Sequence, residues 1–199
     1  ACNLRPTIRS AASLYPLQAL LLSLLSLAAI FTHAEAVRPG DALSPLSIGS
    51  PGELVIEGES DFGYRPWSLP AALGKPHVLQ YMAGTLSARR QTKPFNDRLE
   101  AEIPHDKIHI TTIVNLNQVL WGTTSFVMRQ VQANKARYPL ATIVLDETGL
   151  GQSAWSLPEK DAAVVIMDAN GSVLWFREGA LSDEDIDETI HLLRQHIGE

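Results

Sequence analysis

The chain has 199 residues, and its 16 basic and 22 acidic side chains give a formal net charge of −6 at pH 7. An acidic chain without a basic stripe repels phosphates, which argues against a nucleic-acid-binding protein. Its only cysteine is Cys2, which excludes both a disulfide framework and a redox site built from paired thiols.

The first residues are typical of a secretory signal peptide. Two arginines precede an apolar run at residues 17–31, and Ala34 and Ala36 form a small-x-small cleavage pattern. Such a segment is removed on export, and the run is short for a membrane-spanning helix. The sequence therefore predicts a cleaved signal peptide at residues 1–36 and a single domain at residues 37–199. The alternatives are cleavage after Ala34 and retention of the run as a membrane anchor.

The segment after the leader alternates short apolar runs with Gly, Pro and Ser. This pattern predicts a small strand pair, at residues 46–48 and 54–57, followed by a loop. The next run, HVLQYMA at residues 77–83, has the compact apolar character of a buried strand.

Helices and strands alternate in the middle of the chain. A helix is predicted at residues 87–101, where apolar positions recur at helical spacing and Pro94 introduces a kink. The β-branched run at residues 107–115 predicts a strand. A second helix is expected at residues 124–137, with basic residues at its C-terminal end, and a buried strand at residues 141–146.

The C-terminal part completes the pattern. Residues 162–177 predict a hairpin with an Asn-Gly turn, and Ser182 caps a final helix with an acidic first turn. The order is β-α-β-α-β-β-β-α, in which two βαβ crossovers require parallel neighbours and the hairpin adds antiparallel strands. We therefore predict an α/β protein with a thioredoxin-like mixed β-sheet, helices on both faces and a small N-terminal strand pair.

The strand–helix junction YMAGTLSARRQTKP, at residues 81–94, resembles the active-site segment of thioredoxin-fold oxidoreductases. In those enzymes a strand ends in Ala, two cysteines begin the next helix, and a proline follows the second cysteine by five residues. Ala83 and Pro94 keep this pattern, whereas Leu86 and Arg89 occupy the cysteine positions. The resemblance implies the fold without its thiol chemistry.

A closer resemblance rests on further segments, which follow in order over nearly the whole predicted mature chain. They are LQYMAG, TTIVN, NKARYP, IVLDETG with Trp155, AVVIMDANGSVLW and EGAL. With them the chain resembles the YtfJ family of periplasmic thioredoxin-like proteins. The resemblance implies a thioredoxin fold and a periplasmic address in a Gram-negative bacterium, and it implies no reaction. It also places Ala162 where active thioredoxins carry a cis-proline, and an X-Ala bond is almost always trans.

The junction offers a candidate anion site. Backbone N–H groups of the first helical turn converge there with the hydroxyls of Thr85 and Ser87 and the guanidinium groups of Arg89 and Arg90. Cations at a helix N-terminus oppose the helix dipole unless an anion offsets them. We therefore predict these four residues as an anion or ligand site and predict no catalytic residue. The alternative is that both arginines are screened in solvent.

Other candidates are weaker. His105 and His109 are the best metal candidates, but the sequence shows no third ligand beside them. The GLG at residues 149–151 follows a strand without the third glycine of a dinucleotide loop. We therefore expect neither a metal nor another cofactor. Trp121 and Trp155 lie in predicted loops, so either is a candidate for a binding surface.

These patterns predict a redox-silent thioredoxin-fold protein of the periplasm that acts as a binding or accessory module. The expected partner is an unidentified periplasmic protein or a small anionic ligand. Neither nucleic acid binding nor a stable membrane anchor after cleavage is expected. Two alternatives are an enzyme with a non-thiol site around Ser87 and Arg89, and a structural partner in an envelope complex.

The exported protein should begin near Val37, because the cleavage pattern ends at Ala36. Intact mass spectrometry of the protein recovered from the periplasm measures this start directly. A chain that keeps residues 17–31 and stays with the membrane fraction would show that the run is an anchor.

Overall fold

The structure is a computed structural model that describes residues 36–58, 61–71, 73–159 and 161–198. The predicted signal peptide lies outside these residues, apart from Ala36. Within the described ranges, no helix is both long enough and apolar enough to cross a membrane.

The described part of the chain folds into seven strands and four α-helices, in the alternating order that the sequence predicts. In chain order they are β1 Ser47–Glu57, β2 Asp61–Ser68, β3 His77–Ala83, α1 Leu86–Glu102, β4 His109–Asn115, a 3-10 turn at Leu116–Gln118, α2 Thr124–Arg137, β5 Thr142–Asp146, α3 Leu150–Ala154, β6 Ala162–Met167, β7 Val173–Glu178 and α4 Asp183–Ile197.

The strands form one mixed sheet in the order β2-β1-β5-β4-β3-β6-β7. β4 pairs in parallel with β3 on one side and with β5 on the other. All the other neighbouring pairs are antiparallel. Two parallel pairs require two crossover helices, and α1 and α2 supply them.

The long helices share one face of the sheet. Phe95 of α1 and Leu193 of α4 pack with Val78 of β3 in one cluster, while Val131 of α2 packs with Val114 of β4 in another. The opposite face is covered by the segment before β1 and by side chains around the short helix α3. This arrangement confirms the predicted mixed sheet with helices on both faces.

The predicted N-terminal strand pair is present, but its bounds differ. Residues 46–48 and 54–57 fall almost entirely within one long strand, β1, and its partner β2 lies where the sequence predicted a loop. The pairing register of β1 with β2 shifts between Ile48 and Glu53. This irregularity allows the strand to continue past the Pro and Gly residues between them. β2 lies at the edge of the sheet, where a strand tolerates prolines and polar residues that hide its pattern.

α1 and α2 lie within one residue of their predicted bounds, and α4 begins directly after the predicted cap, Ser182. Thr85 caps α1, and Ser182 caps α4 through a reciprocal capping box with Asp185. The sequence pattern does not predict α3, because a helix of five residues is too short to show helical periodicity.

A histidine pair, with His77 buried and His109 half-buried, lies where β3 and β4 begin. His77 and His109 are register partners, and their ring centroids are 5.1 Å apart in an edge-to-face arrangement. His77 is 3% exposed, and its Nε2 lies 2.9 Å from the Thr111 hydroxyl oxygen. Burial, followed by the nearby His109, lowers the pKa of His77 to about 3. His77 is therefore neutral in the folded protein at neutral pH.

The burial of His77 should make the fold sensitive to acid. In the unfolded chain its pKa is about 6.5, so the unfolded state binds more protons and the free energy of unfolding falls as the pH falls from that value toward 3. We expect this site to remove about 3 kcal/mol between about pH 7 and pH 4. His77→Gln should remove that dependence while keeping a side chain that can bond to Thr111.

Urea unfolding followed by circular dichroism at several pH values measures this difference. His191→Gln, at an exposed position of α4, is the matched control. The same acid sensitivity in the wild type and in His77→Gln would contradict the prediction.

Candidate functional site

Polar residues gather where the three parallel strands end. Ala83, Asn115 and Asp146 are the last residues of β3, β4 and β5, and they are register partners across the sheet. Ligand sites of parallel sheets lie at this edge, close to the helix N-termini. We call it the carboxyl edge.

The Asp146 carboxylate is fully buried and organises the loop after β5. Its two oxygens accept hydrogen bonds from the backbone N–H groups of Gly149, Leu150 and Gly151, each at 2.9 Å. The Tyr81 hydroxyl donates a fourth bond at 2.9 Å, and burial together with this carboxylate raises the pKa of Tyr81. With four donors around it, Asp146 is a structural anchor and not a free acid or base.

The two glycines of this loop are explained by its backbone conformation and its packing. Gly149 has a φ of +76°, which favours glycine. A Cβ on Gly151 would overlap the ring of Tyr81. The GLG motif is thus explained by backbone conformation and close contact, without a dinucleotide.

Asn115 fixes the end of β4 and is 1% exposed. Its Oδ1 accepts from the N–H of Asn117, and its Nδ2 donates to Gln152 Oε1, both at 3.0 Å. Its backbone oxygen accepts from the N–H of Gly84 at 3.0 Å. A Cβ on Gly84 would overlap the Val119 side chain, so this close approach of the two chain segments requires glycine.

The predicted junction lies beside this network. The Thr85 hydroxyl caps α1 by accepting from the N–H of Ala88 at 3.2 Å. Ala83, Ala88 and Ala162 pack together as a small buried cluster, so Ala162 does lie against the junction. The one cis peptide bond among the described residues is Ser50–Pro51 in β1, and the bond before Ala162 is trans.

Three of the four predicted site residues share one groove. Thr85, Ser87 and Arg89 line it, whereas Arg90 does not. Arg89 Nη1 donates to Gln130 Oε1 on α2 at 2.7 Å. Ser87 and Arg90 are exposed, and neither side chain has a polar partner among the residues that the structure describes.

This groove, the α1–α2 groove, has a volume of about 1220 Å³ and separates the two crossover helices. Two bridges cross it. Arg89 bonds to Gln130 near the carboxyl edge, and at the other end Glu100 accepts from Arg137 Nη2 at 3.0 Å and from the Tyr138 hydroxyl at 2.7 Å. The floor is the helical face of the three parallel strands: Gln80, Met82, Ile110, Thr112, Val114 and Ile143.

The floor of the groove carries polar groups with spare hydrogen-bonding capacity. Gln80 is 2% exposed, and its Nε2 donates to Asn96 Oδ1 at 2.6 Å. Its Oε1 and the Thr112 hydroxyl have no partner among the described residues. Neither atom is fully closed off from the groove, so both are available to hydrogen-bond to a bound ligand. Gln80 is not among the site residues predicted from the sequence, although a Gln inside the apolar run HVLQYMA is a usable signal.

Large apolar side chains are exposed at the carboxyl edge. Leu86, Leu120 and Phe126 line the groove, and Leu120 is 71% exposed. Trp121 is completely exposed, in a turn held by a 2.7 Å bond from the Thr123 hydroxyl to the Leu120 oxygen. Isolated apolar residues on a surface are normal, but a cluster beside a groove is typical of a binding surface. We call these residues with Trp121 the mouth patch.

The other candidate residues predicted from the sequence contact their neighbours as ordinary structural residues. Trp155 is 1% exposed, and its Nε1 donates to the Ser44 oxygen at 2.9 Å, so it belongs to the core. His109 Nε2 lies 3.2 Å from the Thr142 hydroxyl oxygen, and His105 packs edge-on against Tyr138. Within the described ranges, no group of three or more metal-binding side chains is arranged around one point.

Comparison with known proteins identifies relatives along most of the chain. A family model described as bacterial protein of unknown function (YtfJ_HI0045) matches residues 37–196. The chain is 33% identical over 167 residues to the protein YtfJ of Escherichia coli (strain K12), an alignment that covers 83% of this chain and 90% of that one. A protein of Haemophilus influenzae is 31% identical over 163 residues, covering 81% of this chain and 88% of that one.

Solved structures share the fold at low identity. The thioredoxin domain of a thiol-disulfide oxidoreductase of Bacteroides vulgatus has a TM-score of 0.53 at 12% identity, covering 79% of this chain and 98% of that one. A peroxiredoxin-like protein of Aquifex aeolicus has a TM-score of 0.53 at 13% identity, covering 81% of this chain and 90% of that one. These similarities confirm the predicted thioredoxin-like fold.

The exposure of Trp121 predicts a specific fluorescence behaviour. The other three tryptophans, Trp67, Trp155 and Trp175, are at most 7% exposed, so Trp121 should supply nearly all of the emission that acrylamide quenches. Trp121→Phe should remove this quenchable component and change the free energy of unfolding by no more than about 0.5 kcal/mol. Equal quenching of the wild type and the variant would contradict the exposed placement.

Proposed function

The chain belongs to the YtfJ_HI0045 family, and we propose that it is a binding or accessory module of the periplasm that performs no thiol redox chemistry. Its fold is that of thioredoxin-like proteins, but its single cysteine, Cys2, leaves no CxxC motif. Disulfide exchange requires an attacking thiolate. Leu86 and Arg89 stand at the positions of the redox cysteines, so this surface is free for another use.

One observation carries the proposal: the junction opens directly into the α1–α2 groove. Arg89 lies on the wall of the groove near the N-terminus of α1, and its described partner is the neutral amide of Gln130. The first-turn N–H groups and the dipole of α1 favour a negative charge at the same place. The favoured ligand therefore carries an anionic group that binds at Thr85, Ser87 and Arg89, with Arg90 close by on α1.

The periplasmic address rests on the sequence. The predicted signal peptide at residues 1–36 supports export, and the resemblance to periplasmic thioredoxin-like proteins supports the same compartment. In that setting the ligand is a periplasmic protein or a small anionic molecule.

The alternative functions have weaker support. An enzyme with a non-thiol site would need a base near Ser87, but Ser87 has no polar partner among the described residues, and His105 and His109 lie near the opposite end of the groove. A structural partner in an envelope complex has one observation in its favour, the fully exposed Trp121.

Inorganic phosphate should stabilise the folded protein through Arg89. We expect millimolar phosphate at fixed ionic strength to raise the Tm by about 2–4 °C, which corresponds to roughly 1 kcal/mol for a domain of this size. Arg89→Ala should remove most of this rise, and Arg90→Ala should reduce it less, because Arg90 lies outside the groove.

Arg129→Ala is the matched control, since it removes an equal charge from an exposed position of α2 outside the groove. Differential scanning fluorimetry of the four proteins, with and without phosphate, measures the shifts. Equal shifts in all four proteins would show that Arg89 and Arg90 are only solvated surface residues, and would overturn the anion site.

A further inference from the structure

We infer that the α1–α2 groove binds the extended C-terminal tail of another polypeptide, with the terminal carboxylate of the tail at Arg89. The inference rests on the binding role proposed above and names the class of ligand.

The two helices give the groove an electrostatic direction. β3, β4 and β5 are parallel, and α1 and α2 connect them in turn, so both helices run against the strands and parallel to each other. Both therefore begin at the carboxyl edge, at Thr85 and Thr123. The positive ends of two helix dipoles meet at that mouth and the negative ends at the other. A ligand with its negative end at the carboxyl edge fits this field.

Two cations that line the groove have no ion pair among the described residues: Arg89 at the carboxyl edge, and Lys75 at the far mouth, where it donates to the Asp106 backbone oxygen. Along the groove, Lys93 pairs with Asp97 and Arg137 pairs with Glu100. Arg89 instead donates only to the neutral amide of Gln130 among the described residues. A carboxylate can take a charge-assisted hydrogen bond from Arg89 without competing with an existing ion pair.

The lining between the two mouths suits a peptide backbone. Gln80, Asn96, Thr112, Gln130 and Asn134 line the groove with neutral amide and hydroxyl groups, which both donate and accept hydrogen bonds. A peptide presents N–H and C=O groups along its length, and these need partners when they are buried. An acyl chain would cover the lining groups without pairing them, including the Oε1 of Gln80.

The dimensions favour a short extended segment. The wall of α1 from Arg89 to Glu100 is about 17 Å long at 1.5 Å per residue, which matches about five residues of extended chain. The volume of about 1220 Å³ exceeds the ~300–1,000 Å³ of common small-molecule pockets. At the far mouth the groove reaches the surface beside Leu140, which is 80% exposed, so the rest of the partner can continue into solvent past the exposed Glu100 bridge.

The mouth patch sets a preference for the end of the tail. Leu86, Leu120 and Phe126 surround the place where the last residue would lie. A tail that ends in an apolar residue would cover these exposed side chains, and such burial stabilises a complex. The proposed ligand is therefore a tail of about five residues with an apolar last residue and a free carboxylate.

The test uses a pool of synthetic hexapeptides, randomised at all positions except a C-terminal Leu, and the same pool as C-terminal amides. Each pool is passed over the immobilised mature protein, and retained peptides are quantified by mass spectrometry. We expect free-acid peptides to be retained at least about tenfold better than their amides. Arg89→Ala should remove this preference.

Two tryptophan variants test the groove itself. Asn134→Trp places a large side chain on the groove wall at an exposed position of α2, so it should fill the groove without disturbing the core. Ala133→Trp, at the adjacent exposed position outside the groove lining, is the matched control. Circular dichroism and Tm verify that both variants fold.

Retention of free-acid peptides by the wild type and Ala133→Trp, but not by Asn134→Trp, is the result expected. The inference would be overturned by equal retention of acids and amides or by unchanged retention of peptides by Asn134→Trp. It would also be overturned if oleate, passed over the same immobilised protein, were retained in place of peptides. Phosphate stabilisation that requires Arg89, without any peptide retention, would overturn it while leaving the proposed binding role intact. Loss of both responses would overturn both.

Discussion

The parallel pairing of β4 with both β3 and β5 is the constraint on which the rest of the structure depends. Each parallel pair requires a crossover, and the two crossover helices pack on the same face of the sheet. Both helices therefore begin at one edge, where strand ends and unpaired N–H groups meet. Thr85 caps the N-terminus of α1, and Asn115 and Asp146 accept from N–H groups of the segments that follow β4 and β5. The α1–α2 groove is the space between these two crossover helices on one face of the sheet.

The junction shows how a thioredoxin-like framework persists without its chemistry. Ala83, Ala88 and Ala162 still pack closely, and Gly84 still allows the chain to pass against the end of β4. These contacts depend on small side chains and do not depend on thiols. Leu86, which the sequence predicts at a cysteine position, is 53% exposed. The framework is retained by packing, and the surface above it is available for recognition.

The groove combines features that a hydrophobic core avoids. The neighbouring clusters beneath α1, α2 and α4 consist of closely packed apolar side chains, whereas the floor between them includes Gln80 and Thr112 with spare hydrogen-bonding groups. These groups reach the open groove, where they can bond to solvent or to a ligand. They favour a polar ligand over an apolar one, because an apolar ligand would cover them without pairing them.

The sequence by itself determined the order of the long elements, the caps of the helices, the absence of paired thiols and the family, because periodicity, capping residues and composition are local properties. It also located the junction and three residues that line the groove. It missed β2 and α3, whose patterns are too short or too polar to stand out. Only the tertiary structure decided that Trp121 is exposed while Trp155 is buried, that Arg89 faces the groove while Arg90 does not, and that Gln80 lies on its floor. These outcomes depend on contacts between residues far apart in the chain, which no local pattern encodes.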